Sequence, residues 1–146
     1  MIKDHVTEAL ELFQFGYHCS QSVLATFSED LNLPKETALK IACPFGGGLG
    51  GHGRTCGALT GAMMVVGLKY GTTKATDLEA KKLSREKTRQ LIETFEKVHG
   101  TSNCNELVGF DRSNMSGAEL MAKLPHFHSI CPKYLETVVS FLEEEL

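Results

Sequence analysis

The chain has no tryptophan, no Cys-x-x-Cys pair, no long apolar run and no excess of basic charge, and each absence removes a class of function. Fifteen Lys and Arg against 18 Asp and Glu give a formal net charge of −3, which offers no field to attract nucleic acid or anionic lipid. The longest weakly polar stretch, Gly57 to Leu68, falls well short of the roughly 20 residues that cross a bilayer. Met1-Ile2-Lys3-Asp4-His5 begins an amphipathic pattern and not an apolar run, so no secretory signal is expected and the chain is expected in the cytoplasm. Without Cys-x-x-Cys, neither a thioredoxin-type pair nor a zinc ribbon is signalled. No run of strand period occurs, and no internal repeat, low-complexity tract or linker.

What is present reads as helix. The 146 residues fit one domain, 1–146, with enough chain to bury a core without staples. Val6, Ala9, Leu10 and Phe13 recur at helical spacing between Lys3 and Phe15, and Val23, Leu24, Phe27 and Leu31 do so from Ser20 to Leu31. Pro34 opens a third helix, which must end near Cys43 because Pro44 disfavours helix in the residue before it. A helix from Thr55 to Tyr70 is apolar all round, with a stripe of small residues at Gly57, Ala58, Gly61 and Ala62, so it should lie centrally. Asp77 caps a long helix, Leu78 to His99, whose charged first half is a solvated face and whose second half turns Leu91, Ile92, Phe95 and Val98 inward. A short helical turn follows Asn103, Ser116 and Glu119 have capping-box spacing for a helix to about Leu124, and residues 125–130 read as loop. The last helix starts at Cys131-Pro132 and presents Leu135, Val138, Val139 and Leu142 inward. The expected architecture is all-α: a compact helical bundle with a glycine-rich loop ahead of its central apolar helix.

Five cysteines, at 19, 43, 56, 104 and 131, are many for such a chain, and an odd number does not close a disulfide framework. A free cysteine is often only a small buried hydrophobe, but the placement here is regular. Cys19, Cys56, Cys104 and Cys131 each fall at a helix start, where unpaired N–H groups and the helix dipole favour a thiolate and a depressed thiol pKa is expected. Cys43 falls at a helix end, where the dipole opposes a thiolate. The four are distant in sequence, so a shared site requires tertiary convergence. Four gathered thiolates suit thiol–disulfide chemistry, zinc or an iron–sulfur cluster.

Six glycines occupy residues 46–53, directly ahead of the most apolar helix. Gly48-Leu49-Gly50-Gly51-His52-Gly53 satisfies G-x-G-x-x-G, but a helix precedes it where a dinucleotide fold needs a strand. Glycines here let backbone pass close to another group, and successive N–H groups turned inward form anion-binding concavities such as those at Fe–S sites. Gly46, Gly47, Gly48 and Gly57 are therefore candidate cofactor-binding positions, and Arg54 is a candidate cation beside Cys56. The His126-x-His128-x-x-Cys131 spacing reads as incidental, and Met63 and Met64 as core filler.

These residues together resemble the C_GCAxxG_C_C family of redox-active proteins over nearly the whole chain. Cys19 falls in His18-Cys19-Ser20-Gln21, the glycine-rich segment is Phe45-Gly46-Gly47-Gly48, and the defining motif is Cys56-Gly57-Ala58-Leu59-Thr60-Gly61. The later cysteines fall in Asn103-Cys104-Asn105-Glu106 and Ile130-Cys131-Pro132. The chain is also similar to the non-haem part of split-Soret cytochrome c, which is associated with a [2Fe–2S] centre; it has no Cys-x-x-Cys-His motif for haem. The resemblance implies a helical fold and a redox role. Cys43 lies outside the pattern and could serve as a resolving thiol, a replacement ligand or packing.

Three readings follow. In the first, Cys19, Cys56, Cys104 and Cys131 hold a [2Fe–2S] cluster for electron transfer or sensing. In the second, the same thiols work without metal as an oxidoreductase, with Cys56 as first choice of nucleophile. In the third, they hold a structural zinc, or the domain is a non-enzymatic interaction module. A redox partner protein is expected, without nucleic acid or membrane insertion, and oligomerisation is left open.

Overall fold

The computed structural model describes residues 4–146. Among them are the α-helices α1 (His5–Phe15), α2 (Cys19–Ser28), α3 (Lys35–Ala42), α4 (Gly57–Tyr70), α5 (Leu78–His99), α6 (Cys104–Val108), α7 (Gly117–Ala122), α8 (Leu124–Ile130) and α9 (Pro132–Glu145). Among the described residues no strand forms, and a single isolated antiparallel bridge joins Thr55 to Asn103. The all-α expectation holds. No described helix is long and apolar enough to cross a membrane.

Local chemistry sets the helix ends. The Asp4 carboxylate accepts from Thr7 N–H at 3.1 Å and caps α1, while Lys3, the expected first residue, lies outside the described residues. Asp77 caps α5 through Ala80 N–H at 3.0 Å, and Gly100 closes it in the left-handed region. Asn103 accepts from Glu106 N–H at 2.9 Å to start α6, and Ser116 and Glu119 form the reciprocal capping box of α7. The second helix stops at Ser28 and tightens into a 3₁₀ turn, Glu29–Leu31, because Asn32 takes a left-handed φ of 65°. Two expectations fail near the C-terminal end. α7 stops at Ala122, and residues 125–130, expected as loop, are the body of α8. Pro125 sits in the first turn of that helix, where its missing N–H has no intrahelical role.

α4 is the central helix, as its all-round apolarity requires. Ala58, Leu59, Ala62, Val65 and Val66 are buried, and the small stripe faces α2. A Cβ on Gly61 would stand 2.6 Å from the Ser20 carbonyl oxygen, so only glycine lets the two backbones approach this closely. The helix-propensity loss of about 1 kcal/mol per glycine is offset by that contact. α9 buries Leu135, Val138, Val139 and Leu142 completely, each worth about 1.5–3 kcal/mol of transfer free energy. Leu91 and Phe95 anchor α5, whereas Val98, expected inward, is exposed at the penultimate position of the helix.

α2 buries unusual polarity for a core helix, and all of it has partners. Ser20 Oγ donates to the Ala42 carbonyl at 2.8 Å and Gln21 Nε2 to the Leu39 carbonyl at 3.0 Å. Ser22 and Thr26 donate to carbonyls one turn back. The first pair tie the start of α2 to the end of α3 and so fix where Cys19 stands.

Candidate functional site

Each of the four cysteines is held by backbone geometry at a helix start. Cys19 is the first residue of α2, where the Gln21 side chain accepts from His18 N–H at 2.9 Å. Cys56 caps α4, Cys104 is the first residue of α6, and Cys131 stands between α8 and α9, its carbonyl accepting from Tyr134 N–H at 2.9 Å. The Thr55–Asn103 bridge brings two of them side by side. Cys56 N–H donates to the Ser102 carbonyl at 2.9 Å, Cys104 N–H to Arg54, and Asn105 N–H to Gly53 at 3.0 Å. This short ladder couples the glycine-rich loop to α6 and fixes Cys56 and Cys104 on one wall. Gly57 completes the convergence: its missing Cβ would lie 3.3 Å from that of Cys19.

Cys19, Cys56, Cys104 and Cys131 all line one cavity of about 610 Å³. Its far walls come from the end of α1 and from α7 and α8, including Phe13, Leu120, Leu124 and Phe127. Cys43 does not join them. It lies in the exposed turn after α3, because the helix has ended and Pro44 turns the chain away.

Burial, not the helix dipole, sets most of the thiol chemistry, which corrects the expected depression. Burial pushes the Cys56 thiol up to about 12. Cys104 is also raised by burial, against the pull of Arg112. Cys19 is raised because its S–H donates to the Cys131 sulfur, with burial adding to the effect. Cys131 alone is lowered, first by accepting that hydrogen bond and further by the positive charges of Arg112 and Lys133. The Cys56 expected as nucleophile is thus a buried thiol whose acidity is suppressed, and Cys131 is the most acidic of the four. Tyr134, whose hydroxyl donates to the Leu107 carbonyl at 2.8 Å, is pushed up to about 12 by burial and the neighbouring thiols.

The glycine-rich loop turns most of its N–H groups on itself. Residues 47–51 all have positive φ, between 59° and 77°, and form a left-handed turn. The N–H groups of residues 49–54 donate to carbonyls between Pro44 and Leu49, so they are spent inside the loop. Of the expected cofactor-binding positions, Gly47 and Gly57 line the cavity, whereas Gly46, Gly48 and Arg54 do not. Gly46 makes room for the His18 ring, 2.4 Å from where a Cβ would stand. Gly48 makes room for Cys104, whose Cβ is 2.7 Å from the corresponding point. Arg54 is exposed, its backbone engaged in the bridge to α6.

The cation at the site is Arg112. Its Nη1 lies 4.0 Å from Cys104 Sγ, its guanidinium stacks 4.7 Å over the Phe127 ring, and its Nε is buried without a partner. Asn105 Oδ1 accepts from Arg112 N–H at 3.0 Å and positions it. Arg112 follows Cys104 in a polar loop whose sequence carries no periodic signal, so it was not legible. Burial and Arg112 together lower the His18 pKa, leaving that cavity-lining ring neutral at pH 7. His126 is held by the Val108 carbonyl at 2.8 Å, and His128 lines the cavity against Phe13.

Among the described residues, no three His, Cys, Asp or Glu side chains are grouped to hold a single metal ion. The four cysteines share the lining of one cavity. Fold and geometry together define a helical protein whose four helix-start cysteines converge on one cavity. The chain belongs to the C_GCAxxG_C_C family, described as "Putative redox-active protein", which matches residues 17–145. No curated protein and no solved structure matches it. Membership carries a redox role.

Proposed function

We propose that this chain is an electron-transfer or redox-sensing protein in which Cys19, Cys56, Cys104 and Cys131 hold one [2Fe–2S] cluster. The observation that carries the reading is the convergence of four thiols from four separate helix starts on one cavity. The donor set suits the group: cysteine thiolates are the characteristic ligands of such clusters. A cavity this size has room for a cluster with its own bridging sulfides, which spreads its ligands more widely than a single zinc ion does. When bound, the cluster supplies one-electron chemistry. Arg112 beside Cys104 and the N-terminal ends of α2, α4 and α9 place positive potential at that end of the cavity and favour its negative charge.

A second reading is favoured by the Cys19–Cys131 hydrogen bond. The Cys131 thiolate attacks one sulfur of an incoming disulfide, forming a mixed disulfide and expelling a thiolate. Cys19 then loses its proton and attacks the Cys131 sulfur. A Cys19–Cys131 disulfide forms, the second half of the substrate leaves as a thiol, and the substrate has gained two electrons.

Oxygen-free purification from iron-replete cells distinguishes the two. The cluster reading predicts a coloured protein with about two irons and two sulfides per chain. Colourless, iron-free protein that forms one disulfide on mild oxidation would overturn it in favour of the second reading.

A further inference from the structure

The cavity is much larger than four thiols need, and its remaining walls have a different chemistry. Phe13, Leu107, Val108, Leu120, Leu124 and Phe127 make them predominantly apolar. Apolar surface also continues to the rim, where Phe15 is 82% exposed and Met121 67% exposed, both on cavity-lining elements. An exposed apolar rim around an apolar chamber of this size has the form of a small-molecule site.

Beyond the cysteines, the charged groups in it are few, and Arg112 is the one permanent cation among the described lining residues. None of the described lining residues is Asp or Glu, in a chain whose net charge is −3. Arg112 supplies the cation. Among the described residues no carboxylate pairs with its guanidinium, and the adjacent Asp111 is occupied by Ser113 and Asn105 at 2.6–3.1 Å. Burying an N–H without a partner costs about 1–3 kcal/mol, so the unpartnered Nε of Arg112 marks a place where an acceptor is missing. A guanidinium presents paired donors that fit a carboxylate in two-pronged fashion.

We propose that this chamber binds a small apolar organic monoanion, its hydrocarbon body against Phe13, Leu120 and Phe127 and its carboxylate on Arg112. This rests on the four-cysteine end being the redox centre and names the class of molecule it serves. The anion is held in the same cavity as the sulfurs, and Arg112 reaches both its carboxylate and Cys104.

Calorimetric titration of the full chain, purified without oxygen, tests this with four probes. 2-Naphthoate and decanoate carry the same charge on an aromatic or a flexible body, 2-naphthamide is the neutral shape control, and inorganic phosphate is an anion with no body. One of the two carboxylates should bind at least tenfold more tightly than 2-naphthamide, and phosphate should not compete. The tighter carboxylate identifies the kind of body. Arg112→Gln should weaken that carboxylate at least tenfold and leave 2-naphthamide unchanged, while Arg112→Lys restores part of the loss. Leu120→Trp, which adds bulk to the apolar wall and leaves the cation's charge in place, should abolish binding of both carboxylates. Failure of both carboxylates to bind, equal binding of acid and amide, or an Arg112→Gln protein that binds as wild type overturns the proposal. Iron and sulfide measured on the same preparations separate the two claims. Iron-free protein that binds the acid counts against the cluster alone, and iron-loaded protein that does not bind it counts against the chamber alone.

Discussion

The Cys19 thiol donates a hydrogen bond to the Cys131 sulfur, although one begins the second helix and the other stands ahead of the last. Cys131 is the more acidic of the two because it accepts that bond and lies near Arg112 and Lys133, while Cys19 faces Cys56 and Cys104 as well. A bundle that closes its two ends on such a pair has made the sulfurs, and not only the helices, its point of convergence.

The pair makes oxidation selective. In metal-free protein carrying Cys43→Ser, mild disulfide oxidant should remove two thiols and create a Cys19–Cys131 bridge that peptide mapping locates. Cys56 and Cys104 stay reduced because burial keeps them protonated. A bridge between Cys56 and Cys104 would show that the order of thiol acidity is wrong.

Arg112 tunes the same pair. Replacing it by Gln removes a positive charge that lowers both Cys104 and Cys131, so the alkylation of Cys131 should move to higher pH. Arg112→Lys should keep most of the wild-type profile. An unchanged midpoint in Arg112→Gln would exclude Arg112 from the electrostatics of the site. The Gln variant should also lose about 0.5–2 kcal/mol of stability with its stacking on Phe127.

Alkali should destabilise the metal-free fold earlier than a helical bundle without buried thiols. The folded Cys56 value is raised from 9.0 to about 12, so its contribution to stability is complete below pH 9 and is lost as pH rises towards 12. Between those values the unfolded chain has released a proton that the folded chain retains. The slope is about 1.4 kcal/mol per pH unit for each such thiol. Urea unfolding at pH 8 and pH 10 reads it, and Cys56→Ala should flatten the pH dependence. Ligand thiols must lose their protons to bind, so uptake of iron and sulfide should quicken as pH rises from 7 to 9.

The glycine-rich loop should be intolerant where it meets Cys104. Gly48→Ala puts a Cβ 2.4 Å from Arg54 N and 2.7 Å from Cys104 Cβ at a φ of +73°. Overpacking and backbone strain together should cost about 2–4 kcal/mol and displace Cys104. Gly50→Ala, with open space around it but a φ of +59°, should cost only about 1 kcal/mol. Denaturant midpoints of the two variants give the comparison, and equal losses would mean that the contact with Cys104 carries no energy.

How far the fold was legible follows from the kind of signal each part emits. Helix starts are written in local chemistry, so Asp77, Asn103 and Ser116 announced α5, α6 and α7, and with them the position of Cys104. The small stripe on α4 announced close approach, and Gly61 against Ser20 is that approach. Pro125 was ambiguous because proline serves loops and first helical turns equally, and α8 was missed for that reason. The role of the loop is not legible from sequence because glycine declares only freedom of φ. Whether its N–H groups serve a ligand or one another is decided by a left-handed turn that no spacing encodes. Arg112 and the apolar chamber were invisible because both arise where α1, α7 and α8 meet in space.

The most direct test is the iron content of five single variants purified without oxygen beside the unaltered chain. Cys19→Ser, Cys56→Ser, Cys104→Ser and Cys131→Ser should each lose most of the iron and the visible absorption, whereas Cys43→Ser should retain both. Iron-free unaltered protein, or iron that survives loss of any of the four and depends on Cys43, would contradict a single cluster held at the convergence of four helices.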